Sequence, residues 1–140
     1  MTFRFLEHIS DVYVEAIGRT LEEAFVQGAY AMFETMTDIK TIEAIENRKI
    51  EIEAEDLEAL LFEWIDQFLY LFDVEGLMFS KFDIKIDKIV NGYRLNGLCW
   101  GEKFDPEKHP ARTEIKAPTY SLMEIIQKPS KITLRFVMDI

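Results

Sequence analysis

Between Asp56 and Gly76 the chain sets Leu57, Leu60, Leu61, Trp64, Ile65, Phe68, Leu69, Leu71 and Phe72 at helical spacing. A surface helix needs only one apolar stripe; an arc this wide must be covered over most of its circumference. A chain that carries such a segment has to wrap its other elements around it, so this helix is expected at the centre of the core. Asp56 suits the N-cap, where a carboxylate accepts from orphan first-turn N–H groups, and Gly76 closes the segment.

A second helix is legible upstream. Thr20 and Glu23 have the spacing of a capping box, with hydroxyl and carboxylate satisfying orphan N–H groups reciprocally. Leu21, Ala24, Phe25, Gly28, Met32 and Met36 then recur on one face, up to about Met36, where Thr37-Asp38 breaks the pattern. The rest is β-like. Val12 to Ile17 is a β-prone run ended by Gly18, and residues 48–54 alternate isoleucine with charge. Phe82, Ile84 and Ile86 alternate with Lys81, Asp83, Lys85 and Asp87 before Asn91-Gly92, a dipeptide suited to a two-residue hairpin turn. The chain returns from Tyr93 to Trp100. Residues 101–113 are polar, hold Pro106 and Pro110, and read as an exposed loop. One or two strands are expected over 114–126, and a last one from Ile132 to the end. Two helices with segregated β-runs give an α+β class: a single domain over residues 1–140, its two main helices packed on a mostly antiparallel β-sheet.

Charge narrows the partners. With 26 acidic and 16 basic residues the net charge is −10. Nucleic-acid affinity comes largely from Lys and Arg releasing phosphate counterions, so direct tight binding to RNA or DNA is disfavoured, as is an anionic membrane. Cations and basic proteins are the natural counterparts. Neither a signal peptide nor a run of roughly 18 apolar residues is present in the sequence, which leads us to expect a cytoplasmic protein. Cys99, the single cysteine, lies in the apolar Leu98-Cys99-Trp100 and reads as a small buried hydrophobe.

Catalytic templates are sparse: neither a phosphate-cradling glycine loop nor a nucleophile elbow occurs. With only His8 and His109, a paired-histidine zinc site would need both, from opposite ends of the chain. Three places stand out. In His8-Ile9-Ser10-Asp11 a histidine and a carboxylate could face one site at a strand entrance, or Asp11 could close an Asx-type turn. At Met138-Asp139-Ile140 the Asp139 side chain and a terminal carboxylate on Ile140 would repel each other unless something positive lies between; a hard cation such as Ca²⁺ or Mg²⁺ fits, and a solvated tail is the alternative. In residues 114–121 Pro118 implies an edge strand or a bulge, and Lys116 either aims at an anionic ligand or a partner's carboxylate or guards a sheet edge.

Taken together, these stretches resemble the archease family. The similarity runs through Leu6-Glu7-His8-Ile9-Ser10-Asp11-Val12, Gly18-Arg19-Thr20-Leu21-Glu22-Glu23-Ala24-Phe25 and Leu60-Leu61-Phe62-Glu63-Trp64-Ile65-Asp66. It continues through Lys108-His109-Pro110, Glu114-Ile115-Lys116-Ala117-Pro118-Thr119-Tyr120-Ser121 and the final Asp139-Ile140. The resemblance implies an archease-like fold and a role as a non-catalytic protein cofactor of an RtcB-type tRNA-splicing ligase, promoting its guanylylation and multiple turnover. It further implies a divalent cation, Ca²⁺ foremost with Mg²⁺ or Mn²⁺ as alternatives, held by Asp11, Asp139 and the Ile140 carboxylate, and an activity-critical Lys116. Two rival functions stay open on the residues alone: a stand-alone metal-dependent hydrolase or nuclease using Asp11 and Asp139, and a general chaperone-like binding module.

Overall fold

The computed structural model of the chain describes residues 1–7 and 11–140. Its elements run β1 (Thr2–Leu6), β2 (Asp11–Gly18), α1 (Leu21–Met36), a short 3-10 turn (Ile39–Thr41), β3 (Glu46–Ala54), α2 (Leu57–Glu75), β4 (Leu77–Ile89), β5 (Gly92–Lys103), β6 (Ala117–Lys128) and β7 (Lys131–Asp139). The strands form two sheets rather than one, four-stranded in the order β1-β2-β7-β6 and three-stranded in the order β3-β5-β4. Each of these pairings is antiparallel. The α+β class holds, with the strands divided so that each helix touches both sheets: α1 packs on β1, β2 and β7 and reaches β4, while α2 packs on β6 and on all three strands of the smaller sheet.

The wide apolar arc of α2 is covered as its pattern requires. Leu57, Leu60, Leu61, Trp64, Ile65, Phe68, Leu69 and Leu71 are buried. Trp64 is fully buried, and its indole N–H donates to the Phe25 carbonyl at 2.9 Å, so the one polar atom of that ring is satisfied inside the core. Phe68 makes edge contacts with Phe33, Trp64 and Phe82 at centroid distances of 5.3, 4.5 and 5.6 Å. Full burial of each such side chain contributes on the order of 1.5–3 kcal/mol.

Both helix starts form as their cap residues dictate. Asp56 accepts from Ala59 N–H at 2.7 Å and Thr20 from Glu23 N–H at 3.1 Å. The box at Thr20 closes differently from the reciprocal pattern: the Glu23 carboxylate takes the N–H of Arg19, one residue earlier, at 2.7 Å. The β4–β5 turn also shifts by one residue. Ile89 pairs with Gly92, so the turn residues are Val90 and Asn91, and Gly92 alone takes a positive φ, 146°. The cause is β3: a Cβ at position 92 would stand 2.1 Å from the Ala54 carbonyl oxygen. Gly92 is therefore required by the close approach of a neighbouring strand. Cys99 is fully buried on β5, and burial pushes its thiol up to about 12.

Residues 101–113 do not form an open loop. Gly101 to Lys103 extend β5, and His109 is fully buried. Polarity misleads here because the polar groups bond to one another. His109 Nδ1 accepts the Asp105 N–H at 2.9 Å, which places the ring proton on Nε2, 3.1 Å from Glu102 Oε2. Lys108 bridges Glu102 and Glu43, and the Glu43 N–H donates to Glu102 at 2.6 Å. Burial opposes the charge on Glu102, yet the Glu43 N–H, Lys108 and His109 outweigh it and hold its carboxyl below the ordinary value.

Candidate functional site

Asp11, Lys116 and Asp139, singled out from the sequence, meet at one end of the four-stranded sheet. Asp11 opens β2 and Asp139 closes β7, and the antiparallel register puts them directly opposite each other. On the far side of β7, Asp139 faces Ala117, and the Lys116 N–H donates to the Asp139 carbonyl at 2.8 Å. Residues separated by most of the chain thus flank one strand end. Ile140 follows directly and is 41% exposed. His8, Ile9 and Ser10 lie outside the described residues, so the histidine–carboxylate reading at that strand entrance stands only on Asp11.

Side chains directly opposed in an antiparallel pair point to the same face of the sheet, with Cβ atoms about 4.5–5.5 Å apart. Two carboxylates so placed repel, and a cation between them reverses the sign of that interaction. Asp139 and Lys116 are exposed and Asp11 half-buried, so the site is open to solvent and to a partner. Among the described residues no group of three or more His, Cys, Asp and Glu side chains is arranged so that it could hold a metal ion. Among the described residues the candidate donors are the carboxylates of Asp11 and Asp139. Such a pair suits a hard cation that keeps much of its water shell and does not suit a structural zinc ion.

The segment that carries Lys116 is held against the end of α1. Arg112 N–H donates to the Met36 carbonyl and Thr113 N–H to the Thr35 carbonyl, both at 3.1 Å. The Arg112 guanidinium bonds the Glu34 carboxylate at 2.6 Å. Phe5, Asp11, Tyr13, Glu34, Arg112 and Thr113 line part of an open groove of about 330 Å³ beside the strand end. Further along, His109 and Glu102 anchor the same segment. Sequence reasoning missed this anchorage; its signal was a lone histidine amid Asp105, Lys108 and two prolines, a composition that also describes a solvated loop.

Pro118, buried, sits on β6, an edge strand whose register against β7 breaks between Thr119 and Glu124. Residues 120–123 there stand opposite Phe136 alone, and Leu122 takes a φ of 59°. Both features that a proline in a β-run implies, an edge and a bulge, are present.

Comparison with known proteins gives one family. Residues 3–140 match the family described as Archease protein family (MTH1598/TM1083). The chain is 46% identical over 138 residues to protein archease of Sulfurisphaera tokodaii, covering 99% of this chain and 98% of that one. It is 41% identical over 138 residues to protein archease of Methanothermobacter thermautotrophicus, with the same coverage. Among solved structures, the solution structure of Methanobacterium thermoautotrophicum protein 1598 superposes with a TM-score of 0.86 at 41% identity, covering 99% of this chain and 98% of that one. No helix among the described residues is long and apolar enough to cross a membrane.

Proposed function

Because this chain belongs to the archease family, we propose that it acts as a non-catalytic protein cofactor of an RtcB-type tRNA-splicing ligase, working through a divalent cation held at the β2–β7 strand end. The opposition of Asp11 and Asp139 in the register of β2 and β7 carries this reading. Asp11 and Asp139 would supply the charged oxygens, and Ile140 is the third position the resemblance points to. Calcium fits best, since it accepts oxygen ligands in flexible numbers, with Mg²⁺ and Mn²⁺ as alternatives. A bound cation would neutralise developing charge and position oxygens when the ligase transfers a guanylyl group.

The chain's own residues have definite tasks in this reading. Asp11, at the rim of the open groove, and the exposed Asp139 would hold positive charge where a partner can reach it. Lys116, fixed through its backbone to Asp139, presents an exposed ammonium beside that charge, where a partner's carboxylate or a nucleotide phosphate can meet it. The surrounding sheet keeps the two carboxylates in register while the partner binds. The excess of acid over base favours association with a basic protein and discourages competition by free RNA.

The test is ligase guanylylation and multiple turnover at limiting ligase, with and without this protein. Asp11→Ala and Asp139→Ala are each expected to lose most of the activation and to weaken Ca²⁺ binding in calorimetry, while melting near the wild-type temperature. Wild-type activation by both folded variants would end the proposal. Chelator-sensitive phosphodiester turnover in the absence of ligase would favour the hydrolase instead.

A further inference from the structure

An exposed aromatic surface lies on β6, beyond the residues of the proposed cation site. Phe62 of α2 and Tyr120 of β6 stack nearly parallel, with ring centroids 4.6 Å apart and planes 8° from each other. Tyr120 is 53% exposed and Leu122, beside it on the β6 bulge, 50%. The bulge is strained: a leucine at a φ of 59° occupies a region that costs non-glycine residues about 1–2 kcal/mol. Four residues opposite one on β7 lift Tyr120 and Leu122 off the regular ladder. Three carboxylates act on Tyr120. Its hydroxyl is raised above its ordinary pKa by burial and by the negative charges of Asp56, Glu63 and Glu55. All three acidic residues are exposed.

An exposed ring in a negative field selects its ligand. A planar guanidinium gains from the ring face and from bidentate contact with carboxylates, which a lysine ammonium matches less well. Phosphate backbones and anionic lipids are repelled by the same carboxylates. We propose that the Tyr120–Phe62 stack and its flanking carboxylates form a docking surface for an arginine-bearing basic segment of a partner protein, with the guanidinium lying over Tyr120. Ala117, which faces Asp139, lies three residues before Tyr120 on β6, so at about 3.3 Å per residue the docked segment sits roughly 10 Å from the cation site. The identification of that partner as the ligase rests on the function proposed above; the surface itself does not.

Two arms keep the two readings apart. In the first, calorimetry measures the affinity of the full-length protein for purified ligase, using wild type, Tyr120→Ala, Tyr120→Phe and Glu63→Lys. Both positions are exposed, and equal melting temperatures confirm that the variants fold. Tyr120→Ala and Glu63→Lys are expected to weaken binding about tenfold, and Tyr120→Phe to retain it, because the ring face and not the hydroxyl is the contact. In the second, a short arginine peptide and a lysine peptide of equal length are titrated against the protein while the Tyr120 ring is followed by NMR. The arginine peptide should bind more tightly and shift the ring, and Tyr120→Ala should abolish its preference. Ligase binding unchanged in Tyr120→Ala and Glu63→Lys would overturn this inference and leave the cofactor role standing. A wild type that ignores the ligase yet binds the arginine peptide through Tyr120 would overturn the cofactor role and support the surface. A Tyr120 ring unmoved by the arginine peptide would overturn the surface outright.

Discussion

Glu15 keeps its charge where only 4% of the residue meets solvent. Arg4 Nε bonds one carboxylate oxygen at 2.7 Å and Arg135 Nε the other at 2.9 Å. The bond from Arg4, helped by Arg135, outweighs burial and holds the Glu15 carboxyl below its ordinary value. A folded-state value below the unfolded one means stability that is present above the unfolded carboxyl pKa and is lost as pH falls through the folded value. Glu15→Gln should therefore cost about 2 kcal/mol at neutral pH, and its urea midpoint should fall less than the wild type's as the pH drops into the acid range. A wild-type midpoint that does not move through that range would contradict the account. His109 poses a different case, since its neutral ring both accepts and donates inside the fold. His109→Ala strands the Asp105 N–H and removes a partner from Glu102, so a loss of about 2–3 kcal/mol is expected in denaturant titration. Under the cofactor role proposed above, ligase activation should fall as well, because the anchored segment carries Lys116.

The elements differ in how they depend on their glycines. Gly76 ends α2 in the left-handed region at a φ of 69°, with nothing within 4 Å of where a Cβ would stand. Gly76→Ala should cost only the left-handed penalty, about 1 kcal/mol. Gly92 has an unfavourable φ and a strand pressed against it, so Gly92→Ala must displace Ala54 and should cost clearly more, read as a larger drop in melting temperature. Equal losses at the two sites would refute the close-approach explanation. These local features show where sequence reasoning reaches. Both helices, their N-caps at Thr20 and Asp56, the alternating strands and the edge at Pro118 are written in spacings of a few residues, and they appear where those spacings place them. The division of strands into two sheets is not local. It depends on β5 choosing β3 and β4 while β7 chooses β2 and β6, choices made by packing across the whole core. The Glu102–His109 clasp was hidden for a related reason: a polar loop and a polar interior have the same composition. The opposition of Asp11 and Asp139 was reachable only through family resemblance, because no spacing links residues at the two ends of a chain.

Across the whole molecule, a net charge of −10 acts on encounter before any contact forms. If the partner presents basic segments, its association rate should fall by roughly tenfold as the Debye length shrinks from its low-salt value, with a smaller change in dissociation. A salt-independent rate in stopped-flow fluorescence would remove charge steering from the picture. One charged row across the four-stranded sheet also reaches beyond the stability it confers. Arg4, Glu15, Arg135 and Glu124 occupy one transverse row over β1, β2, β7 and β6, alternating in sign. If β7 slid by two residues, every apolar side chain would stay on its proper face, so hydrophobicity alone cannot forbid the slip. The slip would set Glu15 against Thr133 or Val137, leaving its buried carboxylate with Arg4 but without Arg135, and would draw Asp139 away from Asp11. The row thus works as an indexing key for the sheet, and the alignment of Asp11 with Asp139 is enforced from a place further along the same two strands.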